Sequence, residues 1–299
     1  MTEKVQENSE EASTPVGRHA IKNIASLPNW QKGGYNTNTS KKPNMRTHLN
    51  SLLSTTALTS AAIAALSSCT TMQPTGGDAN IDPDARAVLQ TMSDKLSSAG
   101  QFSVRGTRKI DPALLSGRKV SEQIRFAAAV TRPNKIAAIS TVSDGKRRAF
   151  VYDGSNVTLH DIDMGHYATV RGGRTIDRTI DILSDKWGFQ PPLADLLVSD
   201  PFASLTGAAT GGKVVGTAYA GGTLCDHIAV TQEGIAWDIW VARSDRLPRK
   251  FAIAVTTQEG CPKVEATFTG WNLNPKFPAA HFEFTPPEDA VEIDIAPAG

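Results

Sequence analysis

The sequence predicts an α+β fold in which strands outnumber helices, and three observations carry this. Apolar and polar residues alternate with period two through residues 101–160 and again through 213–271. One long amphipathic helix precedes the first run, and a helical insert at residues 176–205 separates the two. Strands that follow one another through tight turns build an antiparallel meander, and 299 residues with 40% hydrophobic content suffice for one such domain.

The leading helix is expected over 83–99. Asp82 stands at the N-cap, Pro83 suits the first turn, and Asp84 suits the positive end of the dipole. Ala85, Val88, Leu89, Met92 and Leu96 form one apolar face, and Gly100 closes the element. Period two begins with Phe102 and Val104. It continues through Val120–Val130, where Glu122 breaks the apolar face, then through Lys135–Val142 and Lys146–Tyr152 around the turn Asp144-Gly145. Asp153-Gly154 leads into Asn156–His160. Helical spacing returns at Ile176, Ile180 and Leu183. Pro191-Pro192 then restarts a short helix with Leu193, Leu196 and Leu197, and Asp200-Pro201 opens another turn. Strands resume at 213–219, 226–231, 236–242, 249–257 and 263–271, with a short last one at Phe282–Phe284.

Upstream of this domain the chain reads differently. Residues 1–44 are polar and without apolar periodicity, which predicts a disordered extension or a mis-called start before Met45. Residues 45–68 resemble a bacterial lipoprotein signal peptide. Arg46 supplies the positive start, Leu49–Leu66 the weakly apolar run, and Leu66-Ser67-Ser68-Cys69 the lipobox. Serines and threonines interrupt the run too often for a membrane span of about 20 apolar residues. The resemblance implies diacylglycerol on Cys69 and a stable membrane anchor. Thr70, in place of an inner-membrane retention aspartate, favours the outer membrane facing the periplasm. Residues 69–81 read as a tether, and 82–297 as the folded domain.

Charge gives little purchase. Formal net charge is +1, and removing residues 1–68 leaves 24 basic against 26 acidic side chains. No basic stripe marks a nucleic-acid partner. Once Cys69 is acylated, Cys225 and Cys261 remain as an even pair in an oxidising compartment. A bridge between them and two free thiols both fit that count.

Several segments, in order, resemble an uncharacterised family of bacterial periplasmic proteins related to the lipoprotein carriers LolA and LolB. They include Asp82–Ser97, Lys146–Leu159, Cys225–Val230 (CDHIAV), Trp237–Trp240 (WDIW), Phe268–Asn272 (FTGWN) and Phe282–Pro287 (FEFTPP). The resemblance implies a curved antiparallel half-barrel with helices covering its concave face and an apolar cavity between them. In the carriers that cavity receives acyl chains. Met92, Leu96, Trp187, Phe189, Leu193 and Leu197 are the expected helix-side lining, with Phe102, Val104, Phe126 and Trp240 opposite. The same ten residues would equally build an ordinary packed core.

Catalytic or metal chemistry finds little support. His160-Asp161-Ile162-Asp163-Met164-Gly165-His166 has metal-ligand residue types, but strand alternation points His160 away from both aspartates, as in a polar hairpin end. Cys225 and His227 share a strand face without the orienting third group that a thiol nucleophile needs. No cofactor is implied. The leading expectation is a non-catalytic envelope lipoprotein binding a lipid, acyl chain or other hydrophobic ligand; the alternative is a module recognising a lipoprotein or protein partner. Cys69→Ser is expected to abolish metabolic labelling by a palmitate analogue and release the protein from membranes; retained labelling would reject the anchor.

Overall fold

The computed structural model describes residues 80–115, 119–189, 191 and 193–295. The extension, the signal segment, Cys69 and the tether as far as residue 79 lie outside them. From the N-terminal side come β1 (Asn80–Ile81), α1 (Pro83–Ser97), β2 (Gln101–Ile110), β3 (Glu122–Thr131), β4 (Lys135–Val142), β5 (Arg147–Tyr152), β6 (Asn156–Asp161) and β7 (His166–Arg171). The helical insert is α2 (Ile176–Trp187), α3 (Ala194–Leu197) and α4 (Pro201–Thr206). Then follow β8 (Ala209–Ala220), β9 (Thr223–Gln232), β10 (Ile235–Ala242), β11 (Pro248–Val255), β12 (Lys263–Asn272) and β13 (Val291–Glu292).

Among the described residues these strands form one open sheet in the order β1-β8-β9-β10-β11-β12-β2-β3-β4-β5-β6-β7-β13. The two meanders, β2–β7 and β8–β12, join where β12 pairs antiparallel with β2. Only the two-residue edge strands β1 and β13 pair parallel. The α+β expectation holds, with helices on one face of a sheet that does not close into a barrel. The last two residues of the expected tether instead belong to the sheet: Asn80 and Ile81 pair with Gly211 and Gly212, and the Asp82 amide donates to the Gly212 carbonyl at 2.9 Å.

Alternation assigns each strand residue to a face. Phe102, Val104 and Ile110 of β2 point to the helix side, as do Val130, Ile124, Ile136 and Tyr152 of the strands beyond; all are buried. On the β12 side the same face carries Ala266, Phe251, Ile239, Trp237, Ile228 and Val230. Helix α1 lays Ala85, Leu89, Met92 and Leu96 against it, each 0% exposed. Apolar burial at roughly 25 cal/mol per Å² is the main term holding α1 there. Thr175 caps α2 by accepting from the Arg178 amide, and Gly188, with φ 61°, ends it.

On the opposite face, the C-terminal segment lies over the β2–β7 half of the sheet. Residues 273–290 form a strap rather than the expected strand at Phe282–Phe284. Its 3₁₀ turn, Ala279–Phe282, packs on β4, and Phe284 sits 5.3 Å by ring centroid from both His160 and Tyr167. Proline-rich composition explains the difference, because Pro278, Pro286 and Pro287 have no amide for a ladder.

Of the two states that the cysteine count left open for Cys225 and Cys261, the structure has the free thiols, Cys225 buried and Cys261 exposed. Cys225 pairs with Ala242 at one end of β10, whereas Cys261 lies in the turn beyond Val255, which pairs with Ile235 at the other end. At ~3.3 Å per residue that is roughly 20 Å along the strand, far beyond the reach of a disulfide. In the Cys69→Ser protein, a thiol reagent is expected to label one cysteine in the folded state and a second only on unfolding.

Gly106 is the tightest point of the central strand. A Cβ there would clash with the Thr267 carbonyl oxygen and stand 2.7 Å from Cζ of Phe126, whose ring lies across it. Gly106→Ala is therefore expected to cost about 1–3 kcal/mol in a denaturant melt; an unchanged midpoint would show that β2 and β12 can separate freely.

Candidate functional site

The site begins with what lies beneath α3. Met92, Leu96 and Phe102 are 0% exposed, Val104 2% and Leu197 7%. A side chain lining an open cavity wide enough for an acyl chain would retain accessible surface, so these five form closed core in this conformation. Phe126, Leu193 and Trp187 are half-buried, and Phe189 is buried with its ring 6.2 Å from Phe150. Nine of the ten expected lining residues thus belong to the helix side of the fold.

Trp240 is the exception. It points to the other face, stacked on His227 at 4.2 Å with the Lys250 ammonium 4.9 Å from its ring. Trp237, three residues earlier and of opposite parity, fills the core, fully buried and edge-on to Phe251.

Segment 193–199 is held by polar ties rather than by a long helix. Leu193 enters α3 with φ 63°, a left-handed conformation that costs a non-glycine residue of order 1 kcal/mol. Arg132 donates from Nη1 to the Leu197 carbonyl at 2.8 Å and lies over the Phe102 ring at 5.6 Å. Its Nε and Nη2 are buried without a hydrogen-bond partner, and burial lowers its pKa against the opposing field of Asp177. Asp177, in the first turn of α2, accepts from the Ser199 amide at 3.0 Å and the Ser199 hydroxyl at 2.6 Å. Asp195 of α3 is buried and accepts from Ser204 Oγ of α4 at 2.8 Å. Burial pushes its pKa up to about 6, opposed by the Ser204 hydrogen bond and a backbone amide.

Three elements therefore converge on the segment 193–199: the β3–β4 turn through Arg132, α2 through Asp177 and α4 through Ser204. None of these ties stood out in the sequence, although an aspartate inside Leu193-Ala194-Asp195-Leu196-Leu197 was a visible signal, since a buried carboxylate needs a partner.

The chemistry-bearing clusters disperse. His160 faces the strap, Asp161 pairs with Arg148 at 3.4 Å on the helix side, and Asp163 pairs with Arg147 at 3.0 Å. The Cys225 thiol donates to the Thr223 carbonyl at 3.3 Å, and burial raises its pKa. His227 bonds Asp238 across the strand pair at 2.7 Å, while Asp226 pairs with Arg243 and Arg246. The sulfur and the imidazole thus have separate partners. His227 lies on the strap side of the sheet, opposite the buried Ile228.

An open antiparallel sheet bearing its helices on one face defines the class. Within it, the chain belongs to the family described as predicted periplasmic protein (DUF2092), whose model matches residues 85–296. No curated protein matches the chain. Similar solved structures include MucB, 16% identical with TM-score 0.38, where the match covers 68% of this chain and 64% of MucB. LprF from Mycobacterium bovis is 12% identical with TM-score 0.38, covering 70% and 99% of the two chains. A LolA superfamily protein from Nitrosomonas europaea is 11% identical with TM-score 0.29, covering 66% and 97%. The chain spans less than two thirds of MucB's length.

Asp195 makes the α3 segment pH-sensitive. Its folded pKa, about 6, lies above the unfolded value near 3.8, so its contribution to stability is fully present below about pH 4 and lost as pH rises through 6. Asp195→Asn is expected to remove that loss, narrowing the difference in unfolding free energy between pH 4 and pH 7 by about 2–3 kcal/mol relative to wild type. Asp163 and Glu265, whose pKa values are lowered by Arg147 and Lys250, act in the opposite sense in both proteins and cancel in the comparison. Parallel pH profiles would place Asp195 in contact with water.

Proposed function

We propose that this protein is a non-catalytic lipoprotein of the cell envelope that takes an acyl chain or similar apolar ligand under α3. Acylated Cys69 anchors it, on the periplasmic side of the outer membrane. One observation carries the ligand reading: α3 packs on α1, with Leu196 in the same core cluster as Met92 and Leu96, yet it is a single turn entered through a strained Leu193, and the segment 193–199 is held by ties from three separate elements. Such a segment can move as a unit without unfolding the sheet. Its displacement would open an apolar trough between α1 and β2, roofed by Leu196 and Leu197. The closed core of the resting state is then the ligand-free form, in which lid and floor bury one another.

The LolA-superfamily resemblance agrees with this reading. The separate partners of Cys225 and His227 support binding rather than catalysis. A lipoprotein delivering its acyl chains is the partner that such a trough would serve.

Asp177→Asn and Ser199→Ala weaken the latch at an exposed point and spare the core. Each is expected to tighten binding of a fluorescent fatty acid by up to about tenfold, because the closed state that competes with ligand is destabilised. Thermal unfolding of the same variants would fall by only a few degrees. Failure of the wild type and both latch variants to bind the probe would remove the ligand reading and leave α3 as ordinary core.

A further inference from the structure

The other face of the sheet carries a cavity of its own, which owes nothing to α3. About 310 Å³ of space lies between β2–β5 and the strap. Its floor is made of small residues: Ala127 and Ala129 of β3, with Ala137 of β4 directly opposite Ala129. Ile139 and Val151 continue it, and Ile139 is 45% exposed, unusual for a side chain of its size in the middle of a sheet. Larger side chains at the three alanine positions would fill the space, so the gap between sheet and strap follows from the sequence.

The outer wall is aromatic. Phe277 and His281 stack with centroids 4.8 Å apart, and Phe282, buried at 3%, holds them edge-on at 5.4 and 5.2 Å. This three-ring knot fixes the strap above the floor instead of letting it collapse onto the alanines. At the rim stands Arg105, exposed, with no carboxylate paired to it among the described residues. Arg125, on the same face of the neighbouring strand, adds a second exposed cation.

We propose that this strap-side cavity binds a single-chain fatty acid, its alkyl chain on the alanine floor under Phe277 and its carboxylate on Arg105. An apolar trough ending at an unpaired guanidinium has the polarity of such a molecule. The volume sits at the low end of the ~300–1,000 Å³ in which proteins hold small ligands, which suits a single chain. The site stands independently of the trough under α3.

The test is calorimetric titration of the full-length protein with decanoate and with decanol. Wild type is expected to bind decanoate in preference to decanol. Arg105→Gln, at an exposed position, should weaken decanoate about tenfold and erase that preference. Ala137→Phe should fill the cavity and abolish decanoate binding at this site with the melting curve preserved. Ile139→Ser, on the exposed lip, decides the apolar contribution if Ala137→Phe fails to fold, and should weaken both ligands. Decanoate affinity that is unchanged in Arg105→Gln and in the folded floor variant would assign binding to the α3 side and overturn the proposal. Equal affinity for decanoate and decanol, or no binding of either, would overturn it as well.

Discussion

Everything else in the fold depends on the double pairing of β2. Among the described residues the two meanders meet at this strand, with β3 on one side and β12 on the other. Because side chains alternate strictly, its register sets the face of every residue outward to both edges. A slip of one residue would send Phe102 and Val104 to the strap and bring Arg105 and Thr107 under the helices. Gly106 guards that register: between the Thr267 carbonyl and the Phe126 ring there is room for a hydrogen and nothing larger. The helix before β2 and the strap after β12 both grow from this seam, which is how a single sheet comes to be covered by opposite ends of one domain.

The two faces solve burial differently. On the helix side, large side chains interlock: Trp237, Phe251, Leu89 and Met92 leave no accessible surface worth the name. On the strap side a strip of alanines meets an irregular peptide stiffened by aromatic stacking. Close packing is available to a helix with a continuous apolar stripe and unavailable to a segment rich in proline, which presents side chains at no fixed period. Density on one side and space on the other are consequences of which kind of element each terminus supplies.

Much of the architecture was legible from periodicity. Turn dipeptides located the hairpins and the capped apolar stripe located α1; that Cys225 bonds Thr223 while His227 bonds Asp238 is seen only in the fold. What escaped were features that depend on parity and on long-range pairing. Trp237 and Trp240 look equivalent in Trp237-Asp238-Ile239-Trp240, yet a separation of three puts them on opposite faces, and only the buried neighbours Ile235 and Ile239 say which is inside. Cys225 and Cys261 form an even pair by count, but the sheet sets them at opposite ends of β10. The ties on segment 193–199 come from residues 132, 177 and 204, whose convergence no local pattern could announce. The strap was hardest of all, since Phe282-Glu283-Phe284 alternates like a strand while the surrounding prolines forbid one.

The edge strands β1 and β13 have a further meaning. An open sheet ends in two rows of unsatisfied amides and carbonyls, each able to recruit a strand from another molecule. Here both rows are masked from within the same domain: Asn80–Ile81 lies on the β8 edge and Val291–Glu292 on the β7 edge. Each mask spans only two residues, and each pairs parallel, so it blocks hairpin-like antiparallel addition over the stretch it covers. Keeping copies of this domain apart therefore rests in part on two short pairs: β1, whose Ile81 also joins the core, and β13, whose Val291 and Glu292 are exposed and serve the edge alone.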